Sequence, residues 1–444
     1  MQKNLTQGPI TKTLVIFALP MIGGNMLQQL YNIADTLIVG RFIGSGALAA
    51  VGSSYTLMTF LTSILLGLCM GSGAVFSIRY GEGDIEKLHE SLGASFVLIL
   101  AVAAVLNLAV FLLIDPIMYL LQVPGEIYDM MRQYLWVIFW GILATFLYNY
   151  FACLLRAVGN SVAPLIFLAV SSVMNIVLDL WFVLGFRWGV AGAAFATVLS
   201  QYASGIGLAI YTYWKTPEFR IQMKYLKPKP AMLKEIGQFS FLTSVQQSVM
   251  NLGILMVQGL VNSFGTVIMA AFAAAVKIDS FAYMPAQEFG NAFSTYVAQN
   301  YGAGKTERIR KGIKTAVVLS VGFCLVISLL VFIFAGPLMT IFVDPAETEI
   351  LGAGVEYLRI EGAFYCGIGC LFLLYGLYRA IKRPGMSVVL TIFSLGTRVV
   401  LAYVLSGIDF IGITGIWWSV PIGWALADLV GFVYYKKNKK KLFN

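Results

Sequence analysis

The chain has 444 residues, of which 59% are hydrophobic and only 11% are charged, with a formal net charge of +9. Soluble chains carry about 25% charge, so this composition excludes an ordinary water-soluble domain. One histidine and five scattered cysteines exclude a Cys/His metal centre and leave little for a catalytic triad.

A helix that crosses a bilayer needs about 20 predominantly apolar residues. Six such runs follow one another at roughly 12–38, 47–76, 91–114, 128–152, 161–184 and 190–213. Six more lie at roughly 238–262, 267–298, 313–335, 353–376, 385–406 and 411–435. None alternates apolar and polar residues as a membrane strand does. The first run is too long for a cleavable signal and is expected to stay as span 1. The expected fold is an all-α membrane protein of twelve transmembrane helices. Residues 1–214 form an N-terminal six-helix bundle, 215–234 a linker, and 235–444 a C-terminal six-helix bundle. The linker holds Pro217, Pro228 and Pro230 among six basic residues.

The two halves repeat. Tyr80-Gly81-Glu82-Gly83 recurs as Tyr301-Gly302-Ala303-Gly304, an offset of 221. The same offset pairs Gly44 with Gly265, Ala49-Ala50 with Ala270-Ala271, Pro116 with Pro337, and Pro124 with Pro345. At 223, Arg156-Ala157 meet Arg379-Ala380, and Gly189 and Gly192 meet Gly412 and Gly415. An even number of spans per copy makes the repeats parallel, a pattern of transporters. The Tyr-Gly-x-Gly segments are expected to turn the chain sharply out of long helices. Pro20 and Pro285 are expected to bend spans 1 and 8.

With the N-terminus placed inside, the inward segments carry 24 Lys and Arg residues and the outward loops four: Arg41, Arg132, Arg187 and Arg359. This asymmetry puts both termini in the cytoplasm. The positive charge is then topological, and no nucleic-acid partner is expected. His89, after span 2, reads as a solvated residue, and the cysteines as small packing residues.

An ionisable side chain in a span costs roughly 2.5–3.5 kcal/mol on insertion scales and so marks function by default. Asp35 in span 1 and Asp179 in span 5 each lie on the order of 9 Å below the outer edge, at 1.5 Å per residue. Asn25, Gln28, Asn32 and Asp35 share one helix face; Ser171, Asn175 and Asp179 share another; Thr197, Gln201 and Ser204 a third. Lipid offers these stripes no partners, so they should turn toward each other in the N-terminal bundle. Two carboxylates there would repel until a proton or a cation such as Na⁺ joins them. The second copy lacks this set: Asp35 faces Met256, Asn175 faces Arg398, Asp179 faces Ala402 and Thr197 faces Val420. Arg398 and Lys277 are expected to find acids on neighbouring helices. A cavity between the bundles is expected to be lined by Gln28, Tyr31 and Asn32 on span 1. The second half would add Gln247, Met250 and Asn251 on span 7, Phe281, Met284 and Glu288 on span 8, and Arg398 on span 11.

These residues resemble the multidrug and toxic compound extrusion (MATE) transporters. The resemblance covers the whole chain. It is carried by Leu19-Pro20, Asp35 with Gly40, the two Tyr-Gly-x-Gly loops with Gln299-Asn300, Arg156-Ala157-x-Gly159-Asn160, and Asn175-x-x-x-Asp179. It implies two bundles around a V-shaped cavity. It also implies antiport of drugs or other organic cations against H⁺ or Na⁺, in the plasma (inner) membrane of a bacterium, by a monomer with no cofactor. In similar transporters an Asp on helix 1, an Asn and an Asp on helix 5 and a Thr on helix 6 bind the cation; Asp35, Asn175, Asp179 and Thr197 match. Other members use C-terminal acids, one on helix 7; here the only acid near span 7 is Glu235. A lipid-linked oligosaccharide flippase of related fold is the alternative, although it would want more cations than Lys277 and Arg398. A channel or an intramembrane enzyme has no constellation to support it. A C-terminal fluorescent-protein fusion should therefore glow and a C-terminal alkaline phosphatase fusion should be inactive; the reverse pattern contradicts the orientation.

Overall fold

The structure, a computed structural model, describes residues 4–120 and 123–442; Lys3, counted above among the inward cations, lies outside them. Among the described residues there is no β-strand. The first half comprises α1 (Ile10–Phe42), α2 (Ser45–Glu82), α3 (Ile85–Leu112), α4 (Ile114–Leu120), α5 (Gly125–Ile138), α6 (Gly141–Ala157), α7 (Val162–Leu180) and α8 (Gly189–Lys215). The second comprises α9 (Pro230–Asn262), α10 (Thr266–Gly302), α11 (Thr306–Met339), α12 (Thr348–Gly362), α13 (Tyr365–Ala380), α14 (Pro384–Thr391), α15 (Thr397–Ser406) and α16 (Ile413–Leu442).

Each expected span has its helix. Among the described residues, nine helical segments are long and apolar enough to cross a membrane, or eleven with two bent pairs, α5–α6 and α12–α13. The remaining span is α9, whose apolar character is diluted by Gln246, Gln247, Asn251 and Gln258. The bent pairs turn by 44° and 51°, and their breaks at Trp140 and Ala363 are repeat positions 223 residues apart. Span 5 ends in a π turn, Trp181–Gly185, and span 11 contains another, Ile392–Gly396. Such turns leave the regular hydrogen-bond ladder and often mark functional positions.

The repeat is conformational as well as textual. Gly83 and Gly304 have φ of +73° and +67°, and their N–H groups bond Tyr80 O and Tyr301 O at 3.2 and 3.1 Å. This is the left-handed helix exit that the two Tyr-Gly-x-Gly segments were expected to make. Gly159 (φ +87°) corresponds at 223 to Lys382, which holds φ +60° without being glycine. The second copy thus keeps the backbone turn and tolerates its strain.

By compactness the chain divides into two units that do not coincide with its covalent halves. Unit 1 is built on Gly23–Ser244, and unit 2 on Leu5–Ile22 with the chain from Val245 onward. In unit 1, α2 meets the start of α9 backbone to backbone. A Cβ on Gly67 would lie 2.4 Å from Ser244 Cα, and one on Gly71 2.5 Å from Phe239 O. Ser72 and Ser240 share a 2.8 Å hydrogen bond across this contact, and Arg79 Nη2 lies 2.7 Å from both Glu235 oxygens. Glu235, the acid nearest span 7, is thus neutralised by an arginine.

Unit 2 anchors the segment before α1 in a similar way. Leu5 is fully buried, its N–H donating to Gln299 Oε1 at 3.2 Å. Arg308 donates to Gly8 O at 2.7 Å and to Gln7 O at 2.6 Å. The close helix contact inside unit 2 is α10 on α13, where a Cβ on Gly376 would lie 2.6 Å from Gly290 O.

Three expectations need correction. His89 is not solvated: it is 8% exposed on α3, stacked on Tyr225 with ring centroids 5.9 Å apart. Arg379, one of the 24 cations counted in inward segments, is not in a loop; it is buried at the end of α13, donating to Asn291 Oδ1 at 3.0 Å and Ser294 Oγ at 3.3 Å. Among the described residues Lys277 pairs with no acid; it is exposed on α10, its ammonium 5.8 Å from the Phe342 ring centroid. Holding a non-glycine residue in the left-handed region costs roughly 1–2 kcal/mol. Lys382→Gly is therefore expected to have a higher thermal unfolding midpoint in detergent than Lys382→Ala, since both lose the side chain and only glycine loses the strain; a lower midpoint for the glycine variant than for the alanine variant contradicts the strain.

Candidate functional site: two buried carboxyl pairs

The site in unit 1 begins with α7. Its residues Ser171, Asn175 and Asp179 recur every four positions, so one face of an apolar helix carries all three. They are 7%, 2% and 0% exposed. α8 brings Thr197 alongside, and Asn175 Nδ2 donates to Thr197 Oγ1 at 3.3 Å. Thr197 in turn donates to Ala193 O at 3.1 Å, and Ser171 to Ser200 O at 2.7 Å. α1 brings Asp35, whose carboxyl group lies within hydrogen-bonding reach of that of Asp179. All four residues named from the sequence as the ion site therefore lie in one unit, on α1, α7 and α8.

Asp35 Oδ1, Asn175 Oδ1 and both Asp179 carboxylate oxygens are buried and accept no hydrogen bond. Buried polar atoms are nearly always partnered, and an uncompensated buried charge is costly. Asn175 turns its amide N–H toward Thr197, and no donor lies within hydrogen-bonding distance of these four oxygens. Carboxylate, amide and hydroxyl oxygens are the hard donor set suited to Na⁺, and two adjacent carboxylates are equally suited to sharing a proton. A cavity of about 10 Å³ adjoins the site, lined by Tyr31, Ser171, Ser172, Asn175, Thr197, Ser200 and Gln201. That volume holds about one water molecule.

Tyr134 of α5 is 7% exposed and lies beside both Asp35 and Asp179. The sequence reading missed it, since one tyrosine near Arg132 looks like an interfacial residue. The signal was available in the repeat: at 223, Tyr134 falls on Tyr357, which occupies the equivalent place beside a second carboxyl pair.

That second pair lies in unit 2, built from residues other than the repeat equivalents of the first. Asp279 of α10 is 4% exposed and Glu361 of α12 is 1% exposed. Tyr357 Oη donates to Asp279 Oδ2 at 3.3 Å, and Tyr365 Oη donates to Asp279 Oδ1. Arg398 acts on Glu361 from α15. Arg398 thus meets acids of neighbouring helices, as expected, although it forms no ion pair within 4 Å among the described residues. Glu361 was missed although it lies within the expected span at 353–376, because Arg359 two residues before it was counted with the outward loops. Its signal was the spacing Tyr357, Glu361, Tyr365.

The residues expected to line a substrate cavity divide between the units. Gln28, Tyr31 and Asn32 are on α1 in unit 1, with Gln28 exposed and the other two half-buried. Met250, Asn251, Phe281 and Met284 are half-buried in unit 2, while Gln247 is 8% exposed. Glu288 is buried and accepts from Asn291 Nδ2 at 3.3 Å, which links it to Arg379. Among the described residues no group of three His, Cys, Asp or Glu residues forms a metal cluster.

Comparison with known proteins agrees with the fold and with the two-part sequence. The MatE family model matches twice, at residues 20–181 and 240–404. The chain is 30% identical to the probable multidrug resistance protein YpnP of Bacillus subtilis over 99% of this chain and 97% of that protein. It is 28% identical to the probable multidrug resistance protein NorM of Thermotoga maritima, covering 98% and 92%. The fold matches that of a MOP superfamily transporter from Pyrococcus furiosus with a TM-score of 0.93 at 24% identity, over 99% and 98% of the chains. A structure described as the outward-facing conformation of a multidrug resistance MATE transporter matches with a TM-score of 0.91 at 24% identity, over the same shares. The chain belongs to the MatE family, and it is a multi-pass membrane transporter of twelve-helix fold rather than an enzyme.

Proposed function

We propose that the protein is a secondary active antiporter that exports small organic cations, drugs among them, in exchange for H⁺ or Na⁺. The observation that carries this reading is the set of four buried acceptor oxygens on Asp35, Asn175 and Asp179 with no donor among them. A lipid-embedded site of that kind is completed by a cation. Relatives named as multidrug resistance proteins across nearly the whole chain support the substrate class.

In the proposed cycle, Asp35 and Asp179 release their cation inward and take another from outside, and each occupancy biases the orientation of the transporter. Coupling requires that cation and substrate favour different states, and the effect is reciprocal. Substrate contacts are proposed for Gln28, Tyr31 and Asn32 in unit 1 and for Gln247, Met250, Asn251, Phe281 and Met284 in unit 2. The protein would act in the plasma membrane with both termini inside, as a monomer, with no cofactor beyond the coupling ion. The flippase alternative loses support, because Arg398 faces acids of its own unit rather than standing free for phosphate.

The test is efflux of ethidium from proteoliposomes with a pH gradient or a Na⁺ gradient imposed separately. One gradient should drive wild-type efflux. Asp35→Asn and Asp179→Asn should each cut it at least roughly fivefold, the low end of a coupling free energy of about 1 kcal/mol. Undiminished gradient-driven efflux in both variants overturns the site assignment. Thr197→Val, which takes the acceptor from the Asn175 amide, should raise the cation concentration for half-maximal efflux by roughly fivefold, the worth of about one hydrogen bond.

A further inference from the structure

The two copies treat the start of their third span in opposite ways. Residues 84–93, at the start of α3, carry three acids, Asp84, Glu86 and Glu90, and one lysine. Residues 305–314, their repeat equivalents at the start of α11, carry one acid, Glu307, and five cations. At the offset of 221, Asp84 becomes Lys305, Glu90 becomes Lys311 and Gly93 becomes Lys314. The acids of the first copy suit their place, because a helix N-terminus favours negative charge. The cations of the second copy oppose the same dipole. Membrane topology does not account for them either. Parallel repeats put both helix starts on one side, and the first copy reaches that side with no such excess.

Two of the five cations have a role inside the fold. Arg308 holds the chain before α1, and Lys305 Nζ joins it by donating to Thr6 O at 2.8 Å. Arg310, Lys311 and Lys314 are left. Arg310 pairs with Glu307 at 2.9 Å, yet its buried Nε–H meets no acceptor. Lys311 and Lys314 are exposed and, among the described residues, form no ion pair.

Unit 2 gathers further cations at the same end. Tyr435 of α16 lies beside Arg310, and Tyr434 packs edge-on against Tyr378 of α13 with centroids 5.5 Å apart. The end of α16 is thereby tied to the start of α11 and the end of α13. It presents Lys436, Lys437, Lys439 and Lys441, all exposed, and the turn after α13 adds exposed Lys382 and Arg383. Unit 1 answers its cations with acids: Arg79, Lys87 and Lys229 pair with Glu235, Asp84 and Glu90. Farther into both helices of unit 2 the same faces become apolar. On α11, Lys311, Lys314, Val318 and Leu325 share one face; on α16, Leu429, Phe432, Lys436 and Lys439 share another. Val318, Leu325, Leu429 and Phe432 are each more than half exposed. A partner that suits these faces carries negative charge at one end and hydrocarbon at the other.

We propose that this end of unit 2 binds an anionic phospholipid. Its phosphate is held by Arg310, Lys311, Lys314 and the α16 lysines, and its acyl chains lie along α11 and α16. A free anion would have no use for the apolar faces, and a zwitterionic lipid would leave the charge excess unanswered. Assigning the lipid to the inner leaflet rests on the proposed placement of both termini inside; the binding itself does not.

The experiment is native mass spectrometry of the full-length protein released from detergent micelles. It is titrated with dioleoyl-phosphatidylglycerol and, separately, with dioleoyl-phosphatidylcholine. Phosphatidylglycerol should bind at a several-fold lower concentration than phosphatidylcholine. Its affinity should fall roughly fivefold for each charge removed in Arg310→Gln/Lys311→Gln/Lys314→Gln. If that variant does not fold, Lys436→Gln/Lys437→Gln/Lys439→Gln serves, with the same expected fall. Lys215→Gln/Lys224→Gln/Lys227→Gln removes as many charges from unit 1 and should leave the affinity unchanged. Equal affinity for the two lipids, unchanged phosphatidylglycerol affinity in the unit 2 variants, or an equal loss in the unit 1 variant overturns the proposal. Displacement of phosphatidylglycerol by an equal concentration of inorganic phosphate would mark a free-anion site and overturn it too. Reversed C-terminal fusion signals with this binding intact would overturn only the choice of leaflet.

Discussion

The constraint on which the rest of this structure depends is that hydrocarbon satisfies no polar group, so every donor and acceptor in a span must find its partner inside the protein. Most do. Serine and threonine hydroxyls return to the carbonyl one turn back, as Ser54 does to Ala50 O at 2.8 Å and Thr243 to Phe239 O at 2.8 Å. Longer polar side chains bridge helices, as Tyr378 does to Gly431 O at 2.6 Å. Against that background, acceptors that remain without a donor stand out. Single ones occur at Asn300, Glu361 and Asp428, but four lie together on Asp35, Asn175 and Asp179 in unit 1. Two of those residues form a carboxyl pair, and a carboxyl pair without donors is incomplete until something positive arrives.

The two units meet this constraint differently on a shared scaffold. Both repeats keep the left-handed turn after the second helix of each copy, the bend in the fourth, and a tyrosine in front of an acid pair, Tyr134 or Tyr357. The acids themselves come from different helices: Asp35 and Asp179 from α1 and α7, Asp279 and Glu361 from α10 and α12. Unit 2 surrounds its pair with phenol donors and a guanidinium, whereas in unit 1 Tyr134 lies beside the pair without bonding the Asp179 oxygens and Asn175 donates to Thr197. Unit 1 is therefore the better candidate for taking a cation from outside the protein. Unit 2 is arranged to hold part of its positive charge permanently.

The sequence announced the fold because a bilayer imposes a length and an apolar content that a run of residues either meets or does not. The repeat added the equivalences. Asp179, Asn175 and Ser171 were visible as a site because spacing of four places them on one face of one helix, and adjacency along a helix is a local property. Glu361 was hidden by a non-local one: its partners Asp279 and Arg398 come from α10 and α15, far from it along the chain. His89 was misjudged for the same reason, because its cover, Tyr225, comes from the linker far along the chain. Arg379 looked like part of a cytoplasmic charge cluster until Asn291 and Ser294 of α10 were placed beside it. In each case the missing information was a tertiary neighbour rather than a propensity.

The central claim is that the acid pair of unit 1 holds the cation whose release substrate binding favours. Its most direct measurement is equilibrium binding of tetraphenylphosphonium to the purified transporter across a range of pH and of Na⁺ concentration. By reciprocity, raising the coupling cation should weaken tetraphenylphosphonium binding in the wild type, and that dependence should vanish in both Asp35→Asn and Asp179→Asn. The same cation dependence in either variant as in the wild type would contradict it.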